Sequence, residues 1–71
     1  MNIDKIKKIL EEDRGKLLNF RYNGTRNQVE EFSGAIYEMY NYIFTVKVYN
    51  SKNKIKSFTY SDVLTKTLEI L

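Results

Sequence analysis

The stretch Gln28-Val29-Glu30-Glu31-Phe32-Ser33-Gly34-Ala35-Ile36-Tyr37-Glu38-Met39-Tyr40 constrains the fold more than any other part of the chain. It reads as one long strand with a glycine at its centre. At period two, Phe32, Gly34 and Ile36 share one face, and Ala35, Tyr37 and Met39 share the other. A glycine inside a strand weakens it unless the chain bends there or another backbone approaches closely. A long strand bent at its middle can serve two sets of neighbours, which is how a short chain wraps a sheet into a barrel.

The segments on either side are short and fit that role. Leu18, Phe20 and Tyr22 alternate with Leu17, Asn19 and Arg21 over residues 16–22. Asn23-Gly24 follows, a strong hairpin-turn signal, and the loop through Thr25, Arg26 and Asn27 leads into the long strand. Asn41 begins a break. The next strand is read at Ile43–Tyr49, with Phe44, Val46 and Val48 facing inward. Asn50-Ser51-Lys52-Asn53 is a polar hairpin loop. Lys54–Tyr60 returns with Phe58 and Tyr60 inward. Ile55 is out of phase, so a slip or bulge is expected there. Ser61-Asp62-Val63-Leu64 reads as a single 3₁₀ turn capped by Ser61 or Asp62. Thr65–Ile70 closes the set, with Leu68 and Ile70 inward.

Ahead of the strands, Ile3, Ile6, Ile9 and Leu10 recur at helical spacing, with Asn2 as N-cap and Gly15 as the C-terminal stop. The spacing predicts a helix over 3–13. Its lysines lie near the start and Glu11, Glu12 and Asp13 near the end, against the helix dipole. Lys7–Glu11 and Lys8–Glu12 pairs would offset this by only tenths of a kcal/mol, so packing on the barrel must hold the helix. The whole is a mainly β domain with an N-terminal helix. Its element order is that of a small, five-stranded, half-open SH3-like or Sm-like barrel.

With 71 residues the chain is one domain. A chain this short buries only about 60% of the surface it exposes when unfolded. There is no cysteine and no histidine, so neither a disulfide nor a thiolate metal site supplements the core. The apolar fraction of 42%, with 14% aromatic residues, is sufficient for an ordered core. No apolar run approaches the roughly 18 residues of a membrane span, and the charged N-terminus does not resemble a secretion signal. The expectation is a soluble, cytoplasmic protein with no membrane contact.

Catalytic chemistry is missing from this pattern. The commonest general base and the strongest nucleophile are absent. Glu30 and Glu31 point to opposite faces of a strand. Gly15, Gly24 and Gly34 are isolated and form no phosphate loop. No cluster has metal-site spacing. A non-enzyme with no cofactor is expected.

Charge and tyrosine carry what remains. The net charge of +3 is uneven: residues 39–71 hold five bases and two acids, and no acid falls between Met39 and Ser61. The six tyrosines are unusual for this length. Tyr22 and Tyr60 fit core positions, whereas Tyr37, Tyr40, Tyr42 and Tyr49 fit exposed ones. Exposed tyrosines anchor protein interfaces and also stack on bases. The candidate interaction surface is therefore Arg21, Arg26, Tyr37, Tyr42, Lys47, Tyr49, Lys54 and Lys56. Its occupant is read as a protein partner, with single-stranded RNA or DNA as the alternative. Open barrel edges also allow a homodimer through edge strands.

Several of these residues also resemble a known family. Asn23-Gly24 with Arg26, Ser33-Gly34, Glu38, Tyr40, Ser57, Tyr60, Asp62-Val63-Leu64-Thr65, Thr67 and Glu69 are similar to the Veg family of low-GC Gram-positive bacteria. The similarity runs from Ile6 to Ile70 and includes Gly15-Lys16. It implies an Sm-like barrel behind a helix and a non-enzymatic regulatory role. That role is stimulation of biofilm formation through action against a transcriptional repressor of matrix genes. Two positions depart from the family pattern: only Arg26 supplies charge after Asn-Gly, and Asn41 stands where a proline is usual. No catalytic residue transfers.

Overall fold

The computed structural model describes residues 2–24, 28–49 and 54–71. Arg26 and the hairpin loop Asn50–Asn53 lie outside the described residues. The elements are α1 (Ile3–Glu12), β1 (Leu18–Asn23), β2 (Val29–Met39), β3 (Ile43–Val48), β4 (Ile55–Thr59), α2 (Tyr60–Leu64) and β5 (Leu68–Ile70). The strands form one antiparallel sheet in the order β4-β3-β2-β1-β5.

Gly34 is where β2 changes partner. Its N-terminal half pairs with β1 from Asn23↔Val29 to Leu18↔Gly34. Its C-terminal half pairs with β3, beginning at Gly34↔Val48. A Cβ at Gly34 would lie 2.6 Å from the Lys47 carbonyl oxygen and 2.8 Å from Val46 Cγ1. The glycine is therefore required by close approach of β3, one of the two reasons a strand tolerates it.

The sheet curls strongly without closing. In a flat sheet β4 and β1 would be about 14 Å apart, three strand spacings. Instead the rings of Tyr22 on β1 and Phe58 on β4 have centroids 5.7 Å apart, and Phe58 lies 6.0 Å from Phe32. Phe20 stacks on Phe32 at 5.3 Å. The core inside the curl comprises Phe20, Ile36, Phe44, Val46, Phe58, Tyr60 and Leu68. Ile6 and Leu10 cover it from α1. This is the expected mainly β, half-open architecture with a helical lid.

Local differences from the sequence reading have physical causes. The apolar stripe of α1 is narrower than its spacing suggests: Ile6 and Leu10 are buried, while Ile3 and Ile9 are 38% and 44% exposed. Asn2 caps the helix as expected, its side chain accepting from the Lys5 N–H at 2.9 Å. The helix ends at Glu12, and Gly15 follows at φ +87°. The expected Lys7–Glu11 and Lys8–Glu12 pairs are absent among the described residues. Glu11 pairs with Arg14 instead, and Lys7 stands 5.1 Å from the Tyr60 ring centroid.

Met39 was expected beside Tyr37 but packs against the core. The register passes from Ile36↔Val46 to Met39↔Phe44, which leaves one extra residue on β2. That bulge reverses the alternation. No slip occurs at Ile55, since β3 and β4 stay in register from Ile43↔Thr59 to Lys47↔Ile55. Ile55 simply faces out, at 48% exposure.

The segment after β4 is a five-residue α-helix and not a 3₁₀ turn. Its cap is Thr59, not Ser61 or Asp62. Thr59 Oγ1 accepts from the Asp62 N–H at 3.1 Å, and the Asp62 carboxylate accepts from the Thr59 N–H at 3.0 Å. This reciprocal capping box lets so short a helix form. Lys66 then adopts φ +62°, which delays β5 to Leu68.

Candidate interaction surface

The alternation of β3 decides where the candidate side chains point. Val46 and Val48 are buried, so Lys47 projects outward, and Tyr49 continues on that side just past the strand end. Ile36 is buried, so Tyr37 also projects outward, at 49% exposure. Lys47 pairs with Ala35, whose small side chain leaves room, and its Nζ reaches 6.0 Å from the Tyr37 ring centroid. Tyr49 is held by its N–H donating to the Ser33 carbonyl at 2.7 Å. The Lys47 cation thus stands beside the exposed Tyr37 ring, and the exposed Tyr49 follows two residues along on the same outward side. The backbone beneath Tyr37 is tied to the turn after α1, since Arg14 Nε donates to the Tyr37 carbonyl at 3.2 Å.

Arg21 shares the outward face but is engaged. Its Nε lies 3.3 Å from Glu31 Oε2, across the β1–β2 ladder. Nearby, Ser33 Oγ donates to Asn19 Oδ1 at 2.7 Å. Asn23 Nδ2 ties β1 to β5 and the turn before it, donating to Glu69 Oε1 at 2.8 Å and to the Lys66 carbonyl at 3.0 Å.

Lys54 and Lys56 do not join the outward face. By the alternation that buries Phe58 and Tyr60, Lys56 turns toward the seam between β4 and the first half of β2. Its Nζ lies 2.8 Å from Glu30 Oε1 and 5.4 Å from the Phe32 ring centroid. The hydrogen bond and charge of Lys56 hold the Glu30 carboxyl below its ordinary range, with Lys54 adding to the effect. Lys56 therefore closes the seam over the Phe20–Phe32–Phe58 stack. The strand period already carried this information, because even-numbered residues of β4 face inward.

Tyr42 stands apart in the β2–β3 turn, at 82% exposure. The Tyr40 N–H donates to the Ile43 carbonyl at 2.8 Å, which sets the turn, and the Tyr60 hydroxyl donates to the Tyr40 carbonyl at 2.5 Å. Burial pushes the Tyr60 phenol above its ordinary value. The eight candidate residues thus divide. Tyr37, Lys47 and Tyr49 come together, Arg21 is paired with Glu31, Lys54 and Lys56 flank Glu30, and Tyr42 lies on the turn. The free edges of the sheet are β4, with five residues, and β5, with three.

No cluster of described residues could hold a metal ion. No described helix is long and apolar enough to cross a membrane.

No curated protein matches the chain. The model of the family described as biofilm formation stimulator VEG matches residues 1–71, the full length of the sequence. The chain therefore belongs to the VEG family of biofilm formation stimulators.

Proposed function

We propose that this chain is a non-enzymatic regulatory protein of the cytoplasm. It stimulates biofilm formation by binding a protein partner, a transcriptional repressor. The observation that supports this reading is the outward row Tyr37–Lys47–Tyr49. Two tyrosine rings lie uncovered on a rigid sheet face, and tyrosine is among the residues that concentrate binding energy in protein interfaces, while Lys47 beside them supplies a charge that selects the partner. Two of the cations behind the single-stranded nucleic acid reading, Arg21 and Lys56, are matched by Glu31 and Glu30. This favours the protein partner.

Crosslinked capture from native cells, with and without nuclease, tests the reading. Wild-type protein is compared with a Tyr37→Ala/Lys47→Ser/Tyr49→Ala variant whose fold is verified by circular dichroism. The expected result is a repressor retained through nuclease and lost from the variant. Retention by the variant overturns the surface. Loss of all partners on nuclease treatment replaces the protein reading with the nucleic acid one. Edge-to-edge pairing of two copies is read separately, by light scattering.

A further inference from the structure

We propose that the β2–β3 turn and the start of α1 form a two-notch groove for an extended, proline-containing segment of a partner protein that carries an acidic residue. The proposal deepens the protein-partner reading by naming a ligand class. It rests on different residues from the outward row.

The geometry begins with Tyr42. It is 82% exposed and, with Asn41, is a wall common to two depressions. One, of about 710 Å³, is completed by Met39, Tyr40 and Ile43. The other, of about 260 Å³, is completed by Ile3, Thr59, Tyr60 and Ser61. The surface is therefore notch, ring, notch, and no charged side chain lines either notch. It is also braced. The Tyr60 hydroxyl donates to the Tyr40 carbonyl, and the Tyr60 N–H donates to the Tyr42 carbonyl at 3.4 Å, so the turn is fastened to α2.

A polyproline II segment fits such a surface. It repeats every three residues, presents apolar ridges that can fill successive notches, and leaves its backbone carbonyls unpaired. Among the described residues, the Asn41 side-chain amide and the Ser61 hydroxyl make no hydrogen bond, and both can donate to those carbonyls. An amphipathic helix would need a continuous groove, which the Tyr42 ring interrupts. A surface this small also favours a ligand that is already ordered before it binds.

Charge supplies the second half of the ligand. Lys7 lies beside the smaller notch, its Nζ 5.1 Å from the Tyr60 ring centroid, with no carboxylate within ion-pair distance among the described residues. An acidic residue at one end of the segment pairs with Lys7.

The test is selection of random displayed dodecapeptides on the full chain, followed by fluorescence anisotropy of the best peptide. The expected consensus carries two prolines three residues apart, with Asp or Glu at one flank. Tyr42→Ala, a change at an exposed ring, should weaken binding about tenfold or more. Lys7→Met should abolish the preference for the acidic peptide over its Ser analogue. Tyr37→Ala/Tyr49→Ala should leave peptide affinity unchanged even if it abolishes capture of the whole partner, which keeps the two readings distinguishable. Selected peptides without prolines, no enriched peptide at all, or affinity unchanged by Tyr42→Ala would overturn the proposal.

Discussion

Gly34→Ala is the most informative single perturbation of the fold. The added methyl would lie 2.6 Å from the Lys47 carbonyl oxygen and 2.8 Å from Val46 Cγ1, whereas ordinary contact begins at 3.4 Å. The deficit against backbone is thus about 0.8 Å, too large for a side-chain rotation to absorb, so β2 and β3 must separate locally. Overpacking of this kind costs about 1–3 kcal/mol. Each ladder hydrogen bond weakened by the separation adds about 1 kcal/mol. Gly34 does not adopt positive φ, so alanine meets no backbone strain and returns about 0.4–1 kcal/mol by restricting the unfolded chain. The net expectation is a loss of about 2–3 kcal/mol. A domain of this size has about 4–10 kcal/mol in total. Urea unfolding followed by circular dichroism reads the loss as a midpoint lower by about 2 M, for a slope near 1 kcal/mol/M. A loss below about 0.5 kcal/mol would show that β3 does not press on residue 34, and the account of the partner change would fail.

Three further perturbations probe the surrounding structure. Thr59→Ala removes one half of the capping box and should cost about 1 kcal/mol, with amide exchange accelerated across Tyr60–Leu64. Lys56→Met should cost less than about 1 kcal/mol, because the Glu30 side chain is half exposed and solvent screens the pair. Its signature is in the pH profile. Glu30 is held below its ordinary 4.5, so its contribution is present above that value and lost as pH falls through the depressed one. The variant should lack that part of the acid limb; an unchanged limb would mean that the ion pair does not form. Tyr60→Phe deletes the hydroxyl bonded to the Tyr40 carbonyl and should cost about 1 kcal/mol. In the wild type, the raised phenol value means stability falls as pH climbs above 10, where the unfolded chain ionises first. Tyr60→Phe should flatten that limb.

Much of this architecture was legible because burial and period coincide. In β3 the buried residues alternate strictly, so Phe44, Val46 and Val48 could be assigned from the sequence. Gly34 announced itself as the exception inside a long strand. The bulge after Ile36 was not legible, since an extra residue leaves no compositional mark and shows only as a shift against β3. Thr59 was missed as a cap because three capping residues stand within four positions and strand pairing decides which is first out of the ladder. The candidate surface was overdrawn for a related reason. Net charge does not reveal ion pairs: the β1–β2 ladder sets Glu31 against Arg21, and the curl of the sheet brings Glu30 to Lys56 across the seam. The grouping of Tyr37 with Lys47 depends on the cross-strand register, which a single sequence does not display.

The central claim is that biofilm stimulation runs through the outward face of the sheet. Its most direct test replaces the cell's own copy with Tyr37→Ala/Lys47→Ser/Tyr49→Ala and measures biofilm mass at matched protein level. The account predicts a biofilm as poor as in cells lacking the protein, while the purified variant keeps wild-type thermal unfolding. A full biofilm from cells carrying the folded variant would contradict it.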